Sequence, residues 1–255
     1  MANQGQSHSR TQLPFQEIPK SRTRLLDAAV HLIRAKGYAA TAVDEICHEA
    51  GVTKGSFFHH FKSKDDLALA AVAHWEAKTA SLFAAAPYHR APDPLARLLD
   101  YLDFRDAILT GELADYTCLL GTLVQETYAT HPEIRVACEQ AWSAHITELT
   151  RDVEAARQLY APTASWSAMR VATYIQAVLQ GSFIFAKARQ GPEVVRENLE
   201  LLRRTLRVLF QTDSYSDPTK KERQPPAPHP KPAEAPEAPL EVEEEYDSRL
   251  SHFVD

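Results

Sequence analysis

The sequence TAVDEICHEAGVTKGSFFHHFKSKDDL, residues 41–67, contains the signals for two short helices joined by a tight turn. Thr41 is placed to cap the first helix, with Asp44 three residues later as its capping-box-like partner. Gly51 ends that helix and can adopt the positive φ that turns the chain. Val52 can then pack between the two helices. The stretch therefore predicts a helix-turn-helix, an arrangement that places a helix in the major groove of DNA.

The second helix is predicted to begin after Thr53 and to carry small polar residues and one cation in its first turn, Lys54-Gly55-Ser56. This composition suits a helix start that approaches a phosphate or a base edge closely. Phe57 and Phe61 share one face by their i, i+4 spacing, so we expect them to pack inward. The side chains predicted to point toward the groove are Phe58 and His59.

Further helices are predicted on both sides of this pair. Residues 20–36 carry an apolar stripe, and Gly37 follows where a C′ glycine belongs. Ser63 caps a long downstream helix, with Asp66 at its N3 position. Lys64 lies at the start of that helix, where a cation opposes the helix dipole, which indicates use on an external anion such as a DNA phosphate. The upstream stripe consists of Leu25, Ala29, Leu32 and Ile33.

The order and spacing of these residues resemble the N-terminal domain of the tetracycline-repressor (TetR) family over about residues 20–70. The matching stretches are Gly37-Tyr38, Thr41–Ile46, Ala50–Phe61, Lys64 and Leu67. The resemblance implies an all-α homodimer of about nine helices, with a three-helix helix-turn-helix head and a larger helical domain that binds a small-molecule effector and dimerises. It implies double-stranded DNA with a palindromic operator as partner. By motif position, the residues implied to contact DNA are Thr41, Thr53, Lys54, Gly55, Ser56, Phe58, His59 and Lys64.

The match departs from the family pattern at Phe58, where a tyrosine is more usual. A phenyl ring can pack on a sugar but cannot donate a hydrogen bond to a phosphate.

Charge is unevenly distributed along the 255 residues, whose formal net charge is −6. Residues 20–66, the predicted DNA-binding domain, contain eight Lys and Arg against six Asp and Glu. Residues 213–255 contain five against eleven, and half of the sixteen prolines lie within 218–239. This composition predicts a disordered, Pro-rich acidic tail at 213–255, and residues 1–19 are predicted to form a flexible arm. The acidic excess therefore lies outside the predicted head.

Residues 67–212 are predicted to form the larger helical, ligand-binding and dimerisation domain. Its predicted helices are 64–85, 93–109, 113–129, 133–158, 163–189 and 192–211. Aromatic and apolar side chains in the central helices are sufficient to line a cavity for a small molecule. The residues predicted to line it are Leu102, Tyr116, Cys118, Leu120, Gly121, Trp142, Ile146, Tyr174 and Phe183.

Two readings remain open for Cys118. The segment that begins there is similar to one in family members that respond to reactive electrophiles, whereas cysteine is also a common space-filling core residue. No Lys or Arg lies within three residues to lower the pKa of its thiol, which favours the core reading.

The last two predicted helices each carry an apolar stripe suited to a helix-helix seam. Packing within one subunit would explain both stripes, but the resemblance implies a four-helix interface with a second copy, and a two-fold dimer suits a palindromic operator. The residues predicted to form this dimer interface are Val171, Ile175, Val178, Leu199, Leu202, Leu206 and Leu209.

Other functional classes receive little support from the sequence. No apolar run is long enough to span a membrane, and three unpaired cysteines fit a reducing cytoplasm. A helical di-iron enzyme needs two Glu-x-x-His pairs, and only Glu45–His48 fits, inside the head. We therefore expect no catalytic residues, metal or cofactor, and a cytoplasmic, ligand-responsive transcriptional regulator that acts as a repressor. The alternative is a helical adaptor protein that retains the head without binding an operator.

Overall fold

The computed structural model describes residues 20–210, so the predicted N-terminal arm and acidic tail lie outside the described residues. Within this range the protein is all-α, as predicted, with no strand. None of the helices in this range is long and apolar enough to cross a membrane. The elements are α1 (Lys20–Lys36), α2 (Val43–Glu49), α3 (Lys54–His60), α4 (Lys64–Ala84), a 3-10 helix (Pro87–Arg90), α5 (Pro94–Ala107), α6 (Leu113–Tyr116), α7 (Leu119–Thr127), α8 (Pro132–Tyr160), α9 (Ala168–Arg189) and α10 (Glu193–Phe210).

The described residues form ten α-helices, one more than the expected nine, because the predicted helix 113–129 is two helices. The chain is extended at Thr117 and Cys118, with ψ angles of 163° and 127°. Arg34 of α1 donates from Nε to the Thr117 carbonyl at 2.6 Å, so the break presents a backbone acceptor to a distant side chain. The sequence carries no Gly or Pro at this break, and the partner lies 83 residues away.

The first of two hydrophobic cores joins α1–α3 to the helices that follow them. Leu25 and Ile33 of α1, Ile46 of α2 and Phe57 of α3 are at most 1% exposed and meet there. The same core contains residues of α4, α7 and α8, including Leu67, Leu123 and Ile134. The head therefore does not have a core of its own.

The second core lies between α5, α8, α9 and α10. Tyr101 and Leu102 of α5, Ile175 of α9 and Leu206 of α10 are each at most 2% exposed within it. Ser167 caps α9 by accepting from the backbone N–H of Arg170. This core positions the cavity described below.

Candidate nucleic-acid interface and ligand cavity

The turn between α2 and α3 has the geometry that the sequence predicts. Gly51 has a φ of +60°, and the backbone N–H of Val52 donates to the Cys47 carbonyl at 2.9 Å. Thr53 caps α3, because its Oγ1 accepts from the Ser56 backbone N–H at 3.2 Å. These bonds fix the direction in which α3 leaves the turn.

The two faces of α3 differ as expected. Phe57 is fully buried and Phe61, which follows the helix, is 2% exposed, so both anchor the segment to the core. Phe58 is 55% exposed and its ring packs edge-on against Phe57, with 5.1 Å between centroids. We define the exposed face of α3 as the accessible residues Thr53, Lys54, Gly55, Phe58 and His59. Ser56 is half-buried beside it.

Lys54 provides the positive charge on this face. Its Nζ lies 2.8 Å from Asp44 Oδ1 of α2, and both side chains are exposed. The hydrogen bond to Asp44 raises the pKa of Lys54, so the ammonium stays charged. Because the pair is exposed, Lys54 can exchange this carboxylate for another anion at little cost.

The prediction that Thr41 caps α2 is wrong. Ala42 is the N-cap residue, and Glu45 accepts its backbone N–H at 2.9 Å. Thr41 is 1% exposed and donates its hydroxyl to the Gly37 carbonyl at 2.6 Å, which closes the turn between α1 and α2. A hydroxyl buried in this way is not available to DNA, so the side-chain contact predicted for Thr41 is corrected.

Lys64 has internal partners in place of the external anion that the sequence suggests. Its Nζ donates to the carbonyls of Tyr38 and Thr41 at 2.9 and 3.1 Å, and it lies 4.2 Å from the Tyr38 ring centroid. Lys64 therefore braces the α1–α2 turn. An ammonium has three donor hydrogens, so a phosphate contact would have to use the third or displace one of these carbonyls.

A cavity of about 790 Å³ lies among α4–α9, with Arg34 of α1 in its wall. Five of the nine predicted lining residues are in its wall: Tyr116, Cys118, Leu120, Trp142 and Phe183.

The other four predicted lining residues are placed elsewhere. Leu102 is fully buried in the second core, and Ile146 packs against that core. Tyr174 is 45% exposed on the outside of α9. Gly121 belongs to a separate small pocket beside Gln180 and Lys187. Helical periodicity identifies apolar faces, but it does not say which buried residues border empty space.

The polar side chains of the cavity wall were not predicted. The Tyr101 hydroxyl lies 3.1 Å from His145 Nε2 and accepts from Gln176 Nε2 at 3.1 Å. Burial, helped by the nearby charge of Arg105, lowers the pKa of His145 to about 4. Neutral His145 can therefore accept a hydrogen bond at Nε2 from the Tyr101 hydroxyl. Three different helices supply this chain of hydrogen bonds, so no local sequence pattern marks it.

Arg105 places a second cation against the aromatic part of the cavity. Its Cζ lies 5.2 Å from the Phe83 ring centroid, 5.8 Å from that of Tyr101 and 6.0 Å from that of Phe183. These distances are within the range of cation–π attraction.

The three cysteines are free thiols. Burial raises the pKa of Cys138 to about 12 and also raises that of Cys47, which makes both poor nucleophiles at neutral pH. Cys118 is half-buried in the cavity wall. A sensing role for Cys118 stays a prediction.

The predicted dimer interface is largely wrong, because most of its residues are core within a single chain. Val171, Ile175, Leu199, Leu202 and Leu206 are at most 6% exposed and pack in the second core. Val178 and Leu209 are partly buried at its edge. Accessible apolar residues on the other sides of α9 and α10 include Tyr174, Phe185, Leu201 and Val208, which are 45 to 61% exposed. We call these four residues the α9–α10 outer face.

A helix-turn-helix whose second helix presents an accessible face, joined to a larger helical domain, is the arrangement of a DNA-binding transcriptional regulator. A model described as bacterial regulatory proteins, tetR family, matches residues 25–71, and one described as the transcriptional regulator LmrA/YxaF-like C-terminal domain matches residues 94–198. The chain belongs to the tetR family of bacterial transcriptional regulators.

Individual relatives agree with this assignment. An HTH-type transcriptional regulator in the lacX 3′ region of Lactococcus lactis is 27% identical over 73% of this chain and 93% of its own length. The transcriptional regulator AcuR of Cereibacter sphaeroides is 31% identical over 54% of this chain and 64% of its own length. The crystal structure of regulatory protein TetR from Rhodobacter sphaeroides matches the fold with a TM-score of 0.66, at 24% identity, over 73% of this chain and 98% of that one.

Proposed function

We propose that this protein is a homodimeric repressor that binds a palindromic operator and releases it when a small molecule enters the cavity. The exposed face of α3 carries the proposal: it presents a cation, a hydroxyl, an imidazole and a phenyl ring on a helix anchored by Phe57. Such a surface suits a mixture of phosphate contacts and shape recognition, with few bidentate contacts to bases. In each subunit, we assign DNA contacts to Thr53, Lys54, Gly55, Ser56, Phe58 and His59.

Dimerisation is assigned to the α9–α10 outer face. α9 and α10 pack against each other, and this face leaves four large apolar side chains accessible in the single chain. At Gly181, between these side chains, a Cβ would meet nothing within 4 Å, so the surface is open to the close approach of a second helix. An isologous contact there would give the two-fold symmetry that a palindromic operator requires.

The cavity is assigned to the effector. Its volume is within the range of small-molecule sites, and its wall combines aromatic surface with a few polar groups. An effector shifts an operator-binding equilibrium only by its differential affinity for the two states, and about 1 to 3 kcal/mol of coupling makes a useful switch.

The test of DNA recognition is a selection of random duplex DNA by the purified protein at physiological salt, read by sequencing. We expect a palindromic consensus, and we expect Lys54→Ala combined with His59→Ala to lose at least about tenfold in affinity for it. The matched control is Lys78→Ala combined with His31→Ala, which removes the same residue types from accessible positions outside α2 and α3.

Two results would overturn the proposal. If the Lys54 and His59 double variant is folded and binds the consensus as tightly as the parent, the recognition face is wrongly assigned. If no sequence is enriched over non-specific binding, the adaptor alternative is favoured.

A further inference from the structure

Arg34 is a buried arginine in the wall of the cavity. It belongs to α1 of the head and is 8% exposed. Its Nε donates to the Thr117 carbonyl at 2.6 Å, whereas Nη2 is buried without a hydrogen-bond partner. Its Cζ lies 4.4 Å from the Trp75 ring centroid. The guanidinium therefore retains an unused donor at a site closed to bulk water.

The charge of Arg34 is also unpaired. Within residues 20–210, no carboxylate lies within the 4.0 Å of an ion pair with it. Burial lowers the pKa of Arg34 to about 10 and the charge of Asp115 partly opposes this shift, so the side chain is still a cation at neutral pH. A buried cation without a counter-ion in direct contact is costly, and a ligand that supplies a contacting negative charge reduces that cost.

Trp142, another residue of the cavity wall, also has an unsatisfied donor. Its Nε1 is buried without a partner. An indole N–H can only donate, and so can a guanidinium. A hydrogen-bond acceptor on the ligand would therefore satisfy both donors. An anionic acceptor would also form an ion pair with Arg34.

The carboxylates of the cavity wall are hydrogen-bonded, ion-paired or solvated, and Asp115 is the one among them whose charge acts on Arg34. Asp115 accepts the backbone N–H of Glu112 at 2.8 Å, and Glu76 is exposed to solvent. Two others are ion-paired, Asp152 with Arg97 at 2.9 Å and Glu148 with Arg151 at 2.8 Å.

We propose that the effector is a small organic carboxylate whose acid group is bound by Arg34 and Trp142, with its apolar part among the aromatic side chains of the cavity. This proposal rests on the effector role assigned to the cavity above. A guanidinium presents parallel N–H groups that match the two oxygens of a carboxylate. The aromatic residues available to the apolar part are Trp75, Phe83, Tyr88, Tyr116 and Phe183.

Arg34 would connect ligand binding directly to the DNA-binding head. Ile33, the neighbouring residue of α1, is 1% exposed in the core that also contains Phe57 of α3. A carboxylate that draws the Arg34 guanidinium toward it competes with the Thr117 carbonyl for that group. The position of α1 against the α6–α7 break would then depend on whether the site is occupied.

The test compares matched acids and amides on the full-length protein without DNA. The probes are 4-phenylbutyrate and 4-phenylbutyramide, together with straight-chain carboxylates of about three to ten carbons and their amides. Binding is followed by calorimetry and by the fluorescence of Trp75 and Trp142. We expect at least one acid to bind at least about tenfold more tightly than its amide.

The variants separate a ligand role of Arg34 from a structural one. Arg34→Met should reduce the preference for that acid over its amide to within about twofold, while the amide still binds. Trp142→Phe removes the second donor and should weaken the acid more than the amide, and it serves as well if Arg34→Met does not fold. Arg151→Met is the matched control, because this cavity arginine is already paired with Glu148, and it should keep the preference.

The proposal is overturned if acids bind no better than amides, if no carboxylate binds at concentrations up to about 10 mM, or if folded Arg34→Met retains the full preference. Because the assay contains no DNA, these results do not depend on operator binding. Failure to select an operator and failure to bind acids are therefore distinguishable.

Discussion

His145 is a half-buried side chain of the cavity wall whose surroundings favour its neutral form. Its Nε2 lies 3.1 Å from the Tyr101 hydroxyl, and that hydroxyl accepts from Gln176. Burial and the charge of Arg105 disfavour the imidazolium, so the pKa of His145 falls to about 4. The imidazole is therefore neutral at physiological pH. It adds no positive charge to the charges that Arg34 and Arg105 bring to the cavity wall.

This shift predicts a pH dependence of stability. Between pH 6.5 and about 4, the unfolded chain protonates His145 and the native chain does not, so the free energy of unfolding falls as the pH is lowered. We expect His145→Gln to lack this component, which is about 2 to 3 kcal/mol over that window by linkage. The measurement is urea unfolding at pH 7.5 and pH 4.5, with His31→Gln on the exposed side of α1 as control. Parallel pH profiles for the parent and His145→Gln would contradict the prediction.

At the scale of helices, the sequence predicts best where the signals are local. Thr53 and Ser63 cap α3 and α4 as expected, because each cap depends on a backbone N–H three residues away. The left-handed turn at Gly51 is local in the same sense. The sequence does not predict the break between α6 and α7, where Arg34 donates to the Thr117 carbonyl, because only the tertiary fold brings these two residues together.

The outer helices show a different limit of sequence analysis. Ile175 and Leu206 form regular apolar stripes with their neighbours, and periodicity identifies both stripes correctly. Periodicity cannot state whether a stripe is buried within one chain or between two chains. α9 is apolar on both sides, with Ile175 in the core and Phe185 at the surface. The more regular stripe, which contains Ile175, predicts contact with a second copy, but it packs within its own chain.

The α9–α10 outer face gives the prediction that belongs to this scale. We expect Phe185→Glu combined with Val208→Glu to convert a dimer into a folded monomer, because two charges per subunit would be desolvated in the interface. The measurement is light scattering after size-exclusion chromatography. Leu159→Glu combined with Tyr128→Glu is the control, since both of these residues are apolar, at least 62% exposed and outside α9 and α10. Equal masses for the two double variants would contradict the assignment.

For the molecule as a whole, the decisive feature is that the head shares its core with α4, α7 and α8. Polar contacts reinforce this junction. Glu126 of α7 accepts the backbone N–H groups of Tyr38 and Ala39 at 3.0 and 2.8 Å, in the turn that Lys64 of α4 braces from its own helix. The turn between α1 and α2 is therefore held by α7, which follows the predicted head, and by α4, which begins at the end of that head. The sequence predicts the head as a motif, but it does not show that α7 completes its core.

This shared core predicts that α7 controls the local stability of the head. Leu123 of α7 and Leu98 of α5 are both at most 1% exposed, but Leu123 lies in the core with α1–α3 and Leu98 lies in the other core. Truncation of either to alanine should cost about 2 to 5 kcal/mol, so the two variants are matched in chemistry and burial. Because native proteins open in cooperative units that follow their packing, we expect Leu123→Ala to speed amide hydrogen exchange in residues 20–60 by at least about tenfold more than Leu98→Ala does. Leu98→Ala should instead act on α5 and α10, as measured by exchange with mass spectrometry. If the two variants speed exchange in residues 20–60 equally, the protein opens as a single unit, and a ligand in the cavity could not act on the head through α7 alone.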